Sequence, residues 1–295
     1  MMLDNFQHSR LQVNGVTINL RHGGKGPPLL LLHGFPQTHV IWHKIADRLA
    51  QRFTLVMPDL RGYGDSSKPK GDPDHGNYSK RAMAQDMVEL MQALGFPSFY
   101  VCAHDRGARV AHRLALDHPD AVKRLMILDI SPTRTMYEKT DKAFATMYYH
   151  WFFMIQPAPV PETLIGNSAS FLLNTTLGGW GSNSEKFIDA GAMAEYERCF
   201  CQPDAIHGAC EDYRAAATID LEHDRDHEIN QIKCPVRVLW GEHGVVGKLF
   251  KPLEDWQAKC RNPVTGKALP AGHFIAEQVP ELLLAEITEF FPDGR

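Results

Sequence analysis

Short apolar runs alternate with segments of helical spacing through the first half of the chain, and this alternation leaves few folds open. Pro28–Leu32 runs into His33-Gly34, and Phe53–Met57 closes on Pro58-Asp59. Ser98–Ala103 and Val122–Ile130 follow. Each run is short enough for a strand, and the unbroken apolar character of Pro28–Leu32 suits a strand covered on both faces. Trp42–Ala50, Tyr78–Leu94 and Arg106–Leu116 lie between them with helical spacing, and Gly95 and Pro97 end the second of these. Strand, helix, strand in repetition predicts a mostly parallel sheet flanked by crossover helices. An earlier stretch, Leu11–Leu20, alternates around Asn14-Gly15 and predicts a strand or hairpin.

The alternation stops at about Pro132 and resumes only after about Glu228. The interval is rich in aromatic residues and methionine and carries helical spacing without strand alternation. It predicts a helical cap over 132–228, inserted into a core formed by 1–131 and 229–295. Two further strands, Val236–Trp240 and Val264–Leu269, and a last helix at about Glu281–Phe291 complete the core. With 295 residues, 44% of them apolar and 22% charged, one core with an inserted subdomain is the expected organisation.

Several function classes are excluded at this level. The net charge is −4 and no basic run is present, which removes the electrostatic basis for nucleic-acid binding. No stretch approaches the roughly 18 apolar residues of a membrane span, and Met1–Arg10 has no apolar signal region. The six cysteines show no CxxC pair and no metal-ligand spacing, so free thiols in a reducing cytoplasm are expected, with neither metal nor cofactor.

Chemistry concentrates at Ala103-His104-Asp105-Arg106-Gly107, between a predicted strand and a predicted helix. A tight turn there would project one side chain above the sheet, flanked by the small Ala103 and Gly107. That side chain is Asp105. A carboxylate needs no deprotonation before it attacks saturated carbon, and the product is an ester of the protein. Read alone, Asp105 could equally cap the following helix. Arg106 and Arg109 follow, three apart on one helical face, and could grip a small carboxylate.

Four motifs then carry a resemblance over nearly the whole chain: His33-Gly34-Phe35-Pro36, Asp59-Leu60-Arg61-Gly62-Tyr63-Gly64-Asp65-Ser66, His104-Asp105-Arg106-Gly107 and Gly272-His273-Phe274. The chain resembles the α/β-hydrolases, and within them the fluoroacetate dehalogenases. The resemblance implies an α/β-hydrolase fold with a helical cap and a hydrolytic dehalogenase that converts fluoroacetate to glycolate. It implies Asp105 as nucleophile, His273 as base, and backbone N–H groups of Phe35 and Arg106 as the oxyanion hole. Arg106 and Arg109 would bind the substrate carboxylate, and Arg106 stands where haloalkane dehalogenases and epoxide hydrolases usually carry Trp. His150, Trp151 and Tyr213 would face the leaving halide, and Trp180 would wall the pocket.

The acid that orients His273 departs from the commoner pattern. Gly244 stands where many relatives carry Asp, and Asp129, at the end of an earlier strand, is the expected substitute, with Glu242 as fallback. The expected partners are a small haloacid, water and a second copy of the chain in a homodimer. Two alternatives remain at this level. One is an epoxide hydrolase using Tyr213 with Tyr148 or Tyr149; the other is a non-catalytic receptor for a small carboxylate.

Overall fold

The computed structural model describes residues 2–180 and 187–292. Among them, eight strands form a single sheet: β1 (Gln7–Val13), β2 (Val16–Gly24), β3 (Pro28–Leu32), β4 (Thr54–Pro58), β5 (Phe99–His104), β6 (Val122–Leu128), β7 (Val236–Gly241) and β8 (Thr265–Leu269). Their order across the sheet is β1-β2-β4-β3-β5-β6-β7-β8. β1 and β2 form the hairpin at Asn14-Gly15, and β2 pairs antiparallel with β4. The other pairings, from β4 through β8, are parallel.

This order fixes where a ligand can sit. The chain steps outward from β3 to β4 and then returns to place β5 on the other side of β3. Loops leaving neighbouring strands in opposite directions open a crevice at their carboxyl ends. The registers Leu32↔Ala103 and His104↔Leu128 bring the ends of β3, β5 and β6 level. His33-Gly34, Asp105 and Asp129 therefore emerge together.

The central strands are apolar on both faces because both faces are covered. Leu30, Leu32, Val101, Ala103 and Ile127 enter one core layer, and Leu29, Leu31, Cys102, Met126 and Leu128 enter the other. The first layer includes Met83, Met87 and Met91 of α2 (Lys80–Ala93) and Ala108, Ala111 and Leu114 of α3 (Asp105–Asp117). The second receives Ala46 and Leu49 of α1 (Ala46–Leu49), with residues of a carboxy-terminal helix, Pro280–Phe290. The predicted helix over Trp42–Ala50 is broken: a 3-10 turn at His39–Trp42 precedes α1.

Between β6 and β7 the described residues are helical and carry no strand. The helices are α4 (Thr133–Glu138), α5 (Lys142–Met147), α6 (Tyr149–Met154), α7 (Val160–Gly166), α8 (Ala169–Gly178), α9 (Ala190–Phe200), α10 (Pro203–Ala217) and α11 (Ile219–Asp226). After β7 come α12 (Val245–Leu249) and α13 (Pro252–Gln257), and after β8 come α14 (Ile275–Gln278) and α15, the terminal helix. The three short helices α12 to α14 had no counterpart in the sequence reading. No helix is long and apolar enough to cross a membrane among the described residues.

Close packing at the β5–α3 turn requires glycine at two positions. A Cβ on Gly107 would lie 2.3 Å from the His33 carbonyl oxygen, and one on Gly34 would lie 2.4 Å from Asp105 Cβ. Both obstacles are fixed backbone or first side-chain atoms, which cannot swing away. Gly107→Ala is predicted to destabilise the fold by about 2 kcal/mol or more, as overpacking does; urea unfolding against the unsubstituted protein measures it.

Candidate active site

Asp105 opens α3 directly from β5 with a left-handed backbone, φ 47°. An L-residue pays of order 1–2 kcal/mol for that conformation, and the sharp turn it makes lifts the carboxylate above the sheet. Oδ1 accepts a 2.9 Å hydrogen bond from the Phe35 N–H. Oδ2 lies 3.8 Å from His273 Nε2, which has no hydrogen-bond partner. One carboxylate oxygen is thus held and the other is free to attack. Burial works to raise the Asp105 pKa, but the fields of His273, His104, Arg106 and Arg109 together hold it below its ordinary value.

His273 is fixed from three directions. Its Nδ1 is 2.6 Å from Asp129 Oδ2. Its N–H donates to the Trp180 carbonyl at 3.0 Å, and its carbonyl lies 2.8 Å from His104 Nε2. The His104 ring also packs on the His273 ring at 4.6 Å. Burial lowers the His104 pKa to about 3, so that ring is neutral. Asp129 likewise leaves its strand with a positive φ of 52° and accepts the Gly241 N–H at 2.8 Å on its other oxygen. Burial is the largest influence on it and carries its pKa above the ordinary value, against the opposing pull of His273. Glu242 plays no part in this arrangement: it is half exposed and 3.3 Å from His243.

The two arginines are buried but differ in how they are used. Arg106 gives Nε to Asp212 Oδ2 at 2.8 Å, and Nη2 to Asp212 Oδ1 at 3.0 Å and to the Asp212 carbonyl at 2.8 Å. Among the side-chain nitrogens of Arg106, only Nη1 is without a partner. Burying a guanidinium is costly, and the Asp212 carboxylate offsets that cost for Arg106. Arg109 binds Thr133 Oγ1 at 2.8 Å and Met136 Sδ at 3.3 Å, and its Nε is unpartnered. Burial and the neighbouring Arg106 lower the Arg109 pKa to about 10. A buried cation so disfavoured is poised to receive an anion.

The aromatic side chains proposed for the halide converge on the same space from α6 and α10. His150 and Tyr213 ring centroids are 5.5 Å apart, and both pack on Phe35, at 5.9 and 5.4 Å. Trp151 lies 6.3 Å from Tyr213. The Arg106 guanidinium sits 4.1 Å over the Tyr213 ring, and that of Arg109 sits 4.6 Å over Trp151. His150 Nδ1 and the Tyr213 hydroxyl are buried and unpartnered. Burial lowers His150 to about 3 and raises Tyr213, so both rings are neutral hydrogen-bond donors. Trp180 closes one side, 4.6 Å from His150 and 5.2 Å from His273.

Three residues near the site escaped the sequence reading. Asp212 is the hub that binds Arg106, the Tyr63 hydroxyl (2.6 Å) and Lys80, and these cations hold its pKa far below the carboxylate range despite burial. Its only signal in the sequence is adjacency to Tyr213. His104 was quoted only as part of a motif, and Tyr137 was not noticed at all. Metal-capable groupings also exist that spacing did not reveal: Asp65 with Glu195 and Cys199, and Glu162 with His207 and Glu211. Each already holds an arginine, Arg198 and Arg214 respectively.

Asp212→Ala is predicted to destabilise the fold by about 3–5 kcal/mol, because it leaves the Arg106 guanidinium buried without its carboxylate, while Lys80 keeps Asp220 at 3.4 Å. Chemical denaturation measures the loss, and a change under 1 kcal/mol would contradict the charge balance described here.

Comparison with known proteins agrees with this architecture. A family model described as the alpha/beta hydrolase fold matches residues 27–279. A fluoroacetate dehalogenase from Burkholderia is 45% identical over all of this chain and 96% of its own. A soluble epoxide hydrolase from Corynebacterium is 32% identical over 96% of each chain. A solved protein from Nostoc, described as of α/β-hydrolase type, superposes with a TM-score of 0.96 at 55% identity, covering 98% of this chain and 99% of that one. With its left-handed Asp105 elbow, its sheet order and these matches, the chain belongs to the α/β-hydrolase family.

Proposed function

We propose that this protein is a hydrolytic dehalogenase for small haloacids, with fluoroacetate the preferred substrate and glycolate the product. The observation that carries the reading is the unpartnered Arg106 Nη1 and Arg109 Nε beside a carboxylate nucleophile. Two buried cations there suit a substrate that is itself an anion. The dehalogenase relative, 45% identical end to end, supports the same substrate class.

In this reading the arginines hold the carboxylate of fluoroacetate. Asp105 Oδ2 attacks the fluorinated carbon, the carbon–fluorine bond breaks, and fluoride leaves with the bonding pair. His150, Trp151 and Tyr213 donate to it. A small ion with concentrated charge needs directed donors in a dry pocket, and each is worth about 2.7–4 kcal/mol by analogy with an oxyanion donor. His273 Nε2 then takes a proton from water as that water attacks Asp105 Cγ. Oδ1 carries the developing charge against the Phe35 N–H, with the Arg106 N–H as second donor. Collapse expels glycolate, which takes the proton from His273. Asp105, left protonated, releases its own proton, as its lowered pKa favours.

An epoxide hydrolase with the same nucleophile fits less well. Tyr149 is 47% exposed, and the Tyr148 hydroxyl is 3.4 Å from His273 Nδ1. A non-catalytic receptor would have no use for the Asp129–His273 pair. The proposed setting is the cytoplasm, and the absence of disulfides among the six free cysteines supports it. A homodimer is proposed as well. It is supported by exposed apolar side chains on α7 and α8, namely Val160, Leu164 and Phe171. Sedimentation should give twice the chain mass, and a monomer at micromolar concentration would refute the assembly.

Fluoroacetate should release fluoride, read by a fluoride electrode, while simple epoxides yield no diol. His273→Asn should release fluoride once per site and then stop, with the ester retained on Asp105. Intact-protein mass spectrometry reads the adduct; continued turnover without one would refute the covalent scheme.

A further inference from the structure

Apart from His273 Nε2 and His104 Nδ1, two groups stand out among the unpartnered buried polar atoms near Asp105. His150 Nδ1 and the Tyr213 hydroxyl belong to the proposed halide side. On the other side, Arg106 Nη1 and Arg109 Nε are joined by the hydroxyl of Tyr137, which is also buried and without a hydrogen bond. Tyr137 lies on α4, next to Met136, whose sulfur accepts from Arg109. Its ring packs 5.1 Å from Trp151, the same indole over which the Arg109 guanidinium sits at 4.6 Å.

An unsatisfied buried hydroxyl costs roughly 1–3 kcal/mol, and phenylalanine would pack against Trp151 equally well. The hydroxyl therefore points to a use. Burial raises its pKa to about 12, against the opposing fields of Arg106 and Arg109, so the phenol keeps its proton and remains a donor. The strongest charges acting on it are those two guanidiniums. Arginine side chains donate only and offer it no acceptor. What the hydroxyl lacks is an acceptor. A carboxylate with four lone-pair sites can take two arginine N–H groups and one phenol together.

We propose that the Tyr137 hydroxyl donates a hydrogen bond to the carboxylate of the bound haloacid, as a third, neutral ligand beside Arg106 and Arg109. This rests on the function proposed above. The contact sets specificity: an anionic oxygen satisfies all three donors, and an amide or an epoxide of similar size does not. It is made equally to substrate and product, since the carboxylate survives the reaction. Its loss raises KM and leaves kcat nearly unchanged.

Tyr137→Phe in the full-length protein tests this. Glycolate binding by calorimetry and the KM for fluoroacetate should both weaken about tenfold, as for a hydrogen bond to a charged group. kcat should stay within about twofold, and the thermal midpoint should hold or rise, because an unsatisfied hydroxyl is removed. Unchanged glycolate affinity and KM would overturn the proposal. If the variant does not fold, a structure of the unsubstituted protein with glycolate decides: a Tyr137 Oη within hydrogen-bond distance of the carboxylate supports the contact, and one beyond 4 Å overturns it. Glycolate bound in that way by a protein that releases no fluoride from fluoroacetate would sink the dehalogenase reading and leave the Tyr137 contact standing.

Discussion

The buried charge around Asp105 governs everything else in the site. If the proposed reaction is right, one carboxylate must approach another in a space that water has left. Two such charges 4 Å apart repel by about 4 kcal/mol even at an effective dielectric of 20. Positive charge must therefore be buried in advance, and burying it is costly in its own right. The molecule meets both demands with a chain of ions. Lys80 and Arg106 share Asp212, and Arg109 stands beside them with no carboxylate of its own. Asp212 offsets the buried charge of Arg106, while Arg106 Nη1 and Arg109 Nε remain donors without partners.

That division of labour explains what the sequence could and could not disclose. The sheet was legible because its strands are buried on both faces, and Leu29–Leu32 or Leu125–Leu128 read as apolar without alternation. The turn that presents Asp105 was legible because a strand, one acid and a helix are consecutive in the chain. His273 was legible for the same reason, following β8 through a short loop. Asp212 was not, because its meaning is a distance of 2.8 Å to Arg106, 106 positions away. No spacing rule spans that interval. Tyr137 was hidden differently: a tyrosine in an aromatic-rich helical stretch reads as packing, and only a structure reveals that its hydroxyl has no partner. The short helices α12 to α14 carry too few residues for a period to show. The break between His39–Trp42 and α1 was missed because helical spacing does not distinguish a 3-10 turn from an α-helix.

The acid partner of His273 shows the same geometry solving its problem from a different strand. The commoner location, after β7, is taken by Gly244. A Cβ built there would lie 3.5 Å from Asp129 Oδ2, in ordinary van der Waals contact, so position 244 adjoins the carboxylate of Asp129. Asp129 reaches it from the end of β6 by adopting a positive φ, and the Gly241 N–H anchors its far oxygen. Two aspartates, 105 and 129, thus leave adjacent parallel strands in the same left-handed conformation. Each extends a carboxylate toward His273, one to Nδ1 at 2.6 Å and the other toward Nε2 at 3.8 Å. The shorter contact holds the ring. The longer one leaves His273 Nε2 facing the Asp105 carboxylate without a hydrogen bond.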